Sequence, residues 1–184
     1  MTSLLDGRGL ALVRGGRLLF EGLDVALAPG EALHVTGPNG CGKSSLIRLV
    51  AGLLRPNAGT IDRAEAALAD DHLALDRELS LAKALAFWRG PKLGEALTAF
   101  DLDRLSDVPV RMLSTGQARR ARLARVMASG APLWLLDEPA NGLDSSGAAQ
   151  LAAAVAAHRA AGGALLAASH TPLGNDWRTL ELGA

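Results

Sequence analysis

The residues Gly37-Pro38-Asn39-Gly40-Cys41-Gly42-Lys43-Ser44-Ser45 follow a short apolar run, Ala32 to Val35, and open into Leu46-Ile47-Arg48-Leu49-Val50. They fit the spacing G-x-x-x-x-G-K-[ST] in a strand–loop–helix setting. Glycines at 37, 40 and 42 let the backbone take positive φ and wrap closely, so successive N–H groups point at a polyphosphate. The helix that starts near Gly42 adds its positive end. Lys43 then reaches the β- and γ-phosphates, and the Ser44 hydroxyl is placed to ligate Mg²⁺. An ordinary glycine-rich turn is the simpler account, but four fixed positions recur by chance in such a chain at a rate on the order of one per cent. The loop therefore predicts binding of a nucleoside triphosphate, ATP in the first instance.

Two further stretches bear on what happens to that triphosphate. Leu133-Trp134-Leu135-Leu136-Asp137-Glu138 is an apolar strand ending in two carboxylates. In a phosphoryl-transfer site the first carboxylate holds Mg²⁺, usually through water, and the second polarises the attacking water. Without Lys43 an acidic turn after a core strand would explain the pair; with the phosphate loop present, the catalytic assignment is preferred. Leu113-Ser114-Thr115-Gly116-Gln117 heads a helix that Ser114 can cap, and its amide-rich end is a second place for an anion.

The elements that must position these groups follow from periodicity. Residues 4 to 36 are expected to form short strands and turns, an antiparallel edge that feeds the phosphate loop, with Leu23, Val25 and Leu27 alternating and Ala28-Pro29-Gly30 as a break. The helix after the loop is expected to end around Gly52 and Arg55-Pro56, with a turn at Asn57-Ala58-Gly59. Helical spacing recurs from Leu79 to about Phe100, broken at Gly90-Pro91. Leu102 to Val110 is a connector. A helix over Ser114 to Met127, a strand over Leu133 to Leu136, a helix over Ser145 to Ala160 and a strand over Ala164 to Ser169 complete the pattern. Strands alternating with helices after a phosphate loop predict an α/β fold with a mostly parallel sheet. No repeat or long linker divides residues 1–184, so one domain is expected.

Composition narrows the partners. At 184 residues and 49% apolar the chain can bury a substantial core, and 19 basic against 19 acidic residues leave no global field to recruit nucleic acid or anionic lipid. Aromatics at 3%, with no tyrosine, argue against single-strand nucleic-acid stacking. The Ala-rich tail from Ala148 is interrupted by Gln150, His158, Arg159, Gly162 and Gly163, so no direct membrane span is expected. The lone Cys41 and the lack of a leader-like start point to the cytosol. Inside the loop Cys41 serves as a small apolar residue. Arg119, Arg120, Arg122 and Arg125 are expected on a solvated or inter-subunit face. His34 is expected at the core edge, and His158 on an exposed helix surface.

Leu113 to Gln117, then Asp137-Glu138-Pro139, then Asn141-Gly142-Leu143-Asp144, then His170 resembles the ordered motifs of ABC ATPases. Their signature is usually L-S-G-G-Q, with Thr115 here at its third position. The resemblance implies a P-loop ATPase with an antiparallel β edge and a helical subdomain at about residues 74–115. It implies a head-to-tail homodimer, each ATP held between one copy's phosphate loop and the other's Leu113, Ser114, Thr115, Gly116 and Gln117. It also implies that Glu138 is the catalytic glutamate and that His170 is the switch histidine touching the γ-phosphate and attacking water.

Two departures resemble one subfamily, the ATP-binding subunits of the cytochrome c maturation haem exporter. His72 stands where most ABC domains carry the glutamine that senses Mg²⁺, and Arg14-Gly15-Gly16-Arg17 stands where most carry an adenine-stacking tyrosine. Arg14 can cover the adenine with its guanidinium plane. Smaller likenesses run through Leu79-Ser80-Leu81, Phe87-Trp88, Val108-Pro109-Val110-Arg111 and Ser169-His170-Thr171-Pro172-Leu173. In other respects the chain differs from that subfamily: residues 60–72 are short, Asp71 stands at a glycine position, and Gly142 and Ala140 replace an alanine and an aromatic. The implied role is the energising subunit of a complex with a separate integral-membrane permease, on the cytoplasmic face of the inner membrane. The alternatives are another small ABC importer or exporter and a soluble non-transport ABC ATPase. The latter needs coiled coils or tandem cassettes, for which the span from Lys43 to Asp137 has no room. A P-loop small-molecule kinase would leave Leu113 to Gln117 unexplained.

Overall fold

Gly15 and Gly16 both have positive φ, 57° and 76°, and Arg14 pairs with Arg17 across them. This two-residue reversal matches the right-handed twist of flanking strands. It joins β1, Leu5–Arg14, to β2, Arg17–Leu27. These are long strands, not the short ones expected. Register shifts, between Gly7 and Leu10 for example, let β1 bend and continue. The computed structural model describes residues 3–71, 75–88, 90–170, 173–174 and 176–183.

β3, Ala32–Thr36, enters the phosphate loop, and α1, Lys43–Val50, leaves it. The expected turn at Asn57-Ala58-Gly59 is the start of a strand, β4, Ala58–Arg63, which pairs antiparallel with β1. Asn57 accepts a hydrogen bond from the Val13 amide at 2.7 Å, so the turn-forming side chain is used to dock the strand. β2, β1 and β4 form a three-stranded sheet in that order.

The second sheet has five strands, ordered β5-β6-β7-β3-β8, and all its pairings are parallel. They are β5, Ala66–Ala69, β6, Leu133–Asp137, β7, Ala164–Ala168, β8, Arg178–Glu181, and β3. β6 and β7 are buried at every position, which is why they read as continuous apolar runs. Alternation still sorts their faces. Leu133 and Leu135 pack with α1 and the antiparallel sheet, while Trp134 and Leu136 pack with the helical layer. That layer contains α2, Leu81–Ala86, α3, Leu93–Ala99, α4, Thr115–Ser129, and α5, Ser145–Ala160. Short 3₁₀ turns at Asp103–Leu105 and Val110–Met112 connect α3 to α4. Two edge strands, β5 and β8, had no counterpart in the expected pattern.

Three side-chain expectations are corrected here. Arg122 and Arg125 are buried at 6% and 8% exposure, not solvated. Arg122 donates to the Asp70 carbonyl at 2.7 Å and meets the Asp71 carboxylate at 3.3 Å. Arg125 donates to the Leu68 carbonyl and lies 4.7 Å from the Trp88 ring centre. Both guanidiniums therefore cap carbonyls in and just beyond β5, a strand at the sheet edge. His158 is half-buried, stacked on Trp134 at 4.0 Å between ring centres, and burial lowers its pKa. Cys41 is buried, as its small size suggested.

Candidate functional site

The phosphate loop begins with a close approach. A Cβ on Gly37 would lie 2.3 Å from the Leu182 carbonyl, so only glycine fits between the loop and the segment after β8. The Leu182 amide in turn donates to Thr36 at 2.9 Å, bracing the end of β3. Gly42 caps α1 in a left-handed conformation, φ 114°, with no side-chain hydrogen bond at that end and no acidic residue in the first turn. An amide-rich helix start without a capping side chain suits an anion. Lys43 is buried and its Nζ turns back to the carbonyls of Gly37 at 2.7 Å and Pro38 at 3.1 Å. Pro38, Asn39 and Gly40 are exposed, whereas Cys41 and Ser45 anchor the loop from below.

Ser44 Oγ donates to Asp137 Oδ1 at 3.0 Å, joining the start of α1 to the end of β6. Burial pushes the Asp137 carboxyl above its ordinary value; the Ser44 hydrogen bond and the charge of Arg48 oppose that shift. A hydroxyl facing a desolvated carboxylate is a donor set that fits Mg²⁺, whose charge would reverse the cost of ionising Asp137 there.

Glu138 has φ 47°, one of two non-glycine residues with positive φ among the described residues. Such a conformation costs on the order of 1–3 kcal/mol and persists where its surroundings enforce it. Here the Glu138 amide donates to Ala168 at 2.8 Å and its carbonyl accepts from Asn141 at 3.2 Å. The bend turns the carboxylate toward His170, whose Nε2 lies 3.4 Å from Glu138 Oε1. Arg14, Leu19, Asn39, Lys43, Glu138 and His170 all line one cleft of about 410 Å³. The structure thus brings together the loop, both carboxylates, His170 and Arg14. Leu19 was missed from sequence; it enters because the β1–β2 hairpin carries it beside Arg14.

The structure does not bring Ser114, Thr115, Gly116 and Gln117 to this cleft. They head α4 elsewhere, with Ser114, Thr115 and Gly116 exposed and Leu113 and Gln117 half-buried. The Ser114 amide donates to Gln117 Oε1 at 2.9 Å, and the Gln117 amide donates to Ser114 Oγ at 3.3 Å. This closes a reciprocal cap. Arg119, one turn on, donates to the Gly142 carbonyl at 2.7 Å and so ties α4 to the loop after Glu138. His72, the expected sensor residue, lies outside the described residues.

The family profile described as ABC transporter matches residues 20–141. The "Cytochrome c biogenesis ATP-binding export protein CcmA" of Sphingopyxis alaskensis is 57% identical over 180 residues, covering 94% of this chain and 93% of that protein. The chain belongs to the ABC transporter family. Its ABC ATPase character implies ATP binding, general dependence on Mg²⁺ and a membrane partner. The protein of the same name from Zymomonas mobilis is 50% identical, covering 94% of this chain and 81% of that protein. A solved structure titled "Structure of ATP binding subunit of ABC transporter" superposes with a TM-score of 0.86 at 23% identity, over 97% of this chain and 85% of that one, and shows the same ABC fold. Among the described residues of this ABC protein no helix is long and apolar enough to cross a membrane.

Proposed function

We propose that this chain is the ATP-hydrolysing subunit of a haem-export, cytochrome c biogenesis complex, a single ABC domain over residues 1–184 with its helical subdomain at about 74–115. The observation that carries the hydrolytic part is the convergence of Lys43, Ser44, Glu138 and His170 on one cleft, with Asp137 joined to Ser44 by a 3.0 Å hydrogen bond. Likeness to the export proteins named above supports the subfamily.

Gly37 to Ser45 wrap the phosphates, and Lys43 exchanges its loop carbonyls for the β- and γ-phosphates. Ser44 and Asp137 would hold Mg²⁺, which would supply charge neutralisation of the transferring phosphoryl group. Glu138 accepts a proton from the attacking water, and His170 orients that water and the γ-phosphate. Arg14 and Leu19 cover the base. Leu113 to Gln117 complete the site of a second copy in a head-to-tail homodimer. Closure follows from tighter ATP binding to the closed dimer than to the open one.

The membrane partner takes up that movement through the region from His72 to Trp88, placing the subunit on the cytoplasmic face of the inner membrane without a span of its own. A groove of about 680 Å³ supports this, lined by Leu53, Ala67, Leu68 and Trp88 together with Arg48 and Arg125. The test has two arms. Glu138→Gln is expected to keep ATP binding, lower turnover by about 10²–10⁴-fold, and trap an ATP-bound dimer; an unchanged rate refutes the base assignment. Purification of the tagged chain from native membranes is expected to recover a cytochrome c maturation permease. Recovery of an unrelated permease instead favours another small ABC transporter.

A further inference from the structure

We infer that His34 is a positioning residue for the His170–Glu138 pair; this rests on reading that pair as hydrolytic. β7 lies between β6 and β3, and both ladders end at Ala168, opposite Asp137 on one side and Val35 on the other. Beyond that point regular pairing no longer fixes the chain, yet His170 is only two residues on. Two hydrogen bonds continue the restraint. Ala168 accepts from the amide of Glu138 at 2.8 Å, and Ser169 accepts from Nε2 of His34 at 2.7 Å. A carbonyl can only accept, so Nε2 carries the proton and the tautomer of His34 is set.

The sequence places His34 for this contact. Leu33 and Val35 pack with α1 and the antiparallel sheet, whereas Ala32 packs with the helical layer. Alternation puts His34 on the Ala32 face, where its strand partner is the small Ala167. The imidazole is buried at 5% exposure. His170, by contrast, has a side chain 59% exposed, so packing does little to locate it. Its ring position depends on the backbone of Ser169, which His34 holds. Three residues after His34 the phosphate loop begins, so one side chain links the strand that feeds the loop to the segment that presents His170.

The test uses the full chain in complex with its membrane partner, assayed for steady-state ATP hydrolysis and thermal unfolding. His34→Leu fills similar volume without a donor and is expected to lower kcat by about ten- to a hundredfold. Its KM for ATP should stay within about twofold, the signature of an interaction that matters after binding. His34→Gln retains an N–H donor and should recover most of the rate. His34→Leu combined with His170→Ala should be no slower than His170→Ala alone. A lowered melting point with unchanged kcat, or additive losses in the double variant, overturns the assignment. Should His34→Leu not fold, His34→Met carries the same comparison. His170→Ala at the unmutated rate would instead remove the hydrolytic reading of the pair, which separates the two failures.

Discussion

The two helix starts assigned to phosphate recognition are built in opposite ways. α1 begins at a left-handed Gly42 with no capping side chain and leads into a buried Lys43. α4 begins at an exposed Ser114 that exchanges hydrogen bonds with Gln117 in a capping box. The first helix is held by its packing and leaves its amide-rich end open to a ligand. The second has a reciprocal side-chain cap of its own and is stable at the surface without a ligand. The contrast fits the proposal that one half of the site is assembled within the chain around Asp137, Glu138 and His170, while Leu113 to Gln117, at the exposed start of an otherwise packed α4, serve a second copy.

The largest expected effect tests the open end. Mg-ATP at about a hundred times its Kd should stabilise the wild-type chain by about 2.7 kcal/mol, seen as a rise in melting temperature. Lys43→Ala should abolish that rise together with tight binding; a preserved shift would mean that the loop does not hold the phosphates. A smaller effect tests the capped end. Ser114→Ala should cost about 1 kcal/mol of stability without ligand while leaving the Mg-ATP shift of the isolated chain intact. If it removes the shift, the trans half contributes within one chain and the contrast fails.

The smallest effect comes from a region serving neither end. Burial against Trp134 lowers the pKa of His158 from its ordinary 6.5. Above pH 6.5 the imidazole is neutral folded or unfolded, and its titration adds nothing. As pH falls below 6.5 the unfolded chain takes up a proton that the folded chain resists, so stability declines. His158→Phe keeps the ring stack and cannot protonate, so its melting temperature should fall less between pH 7.5 and about pH 5.5 than that of the wild type. Equal slopes would exclude His158 as the source.

Much of this was legible in the chain because it is local. Ser145 to Ala160 has the helical extent expected of it, and Ser114 caps α4 as its position suggested. What was missed is non-local. Ala66–Ala69 is too short and too alanine-rich to read as a strand alone, and becomes one by pairing with β6 and receiving Arg125 on Leu68. Arg122 and Arg125 looked solvated because their partners are backbone carbonyls, which carry no signature in composition. His158 looked exposed because nothing in α5 reveals Trp134 on a strand beneath it.

By itself the sequence determined the chemistry of the phosphate loop, the order of the motifs and the family, since these depend on residue types at short spacings. Only the tertiary structure decided that Ser44 meets Asp137, that Glu138 bends toward His170, and that His34 holds Ser169. Each of those contacts joins segments far apart in the chain. Strand order in the parallel sheet sets their distances, and that order comes from burial on both faces at once, which no single segment encodes.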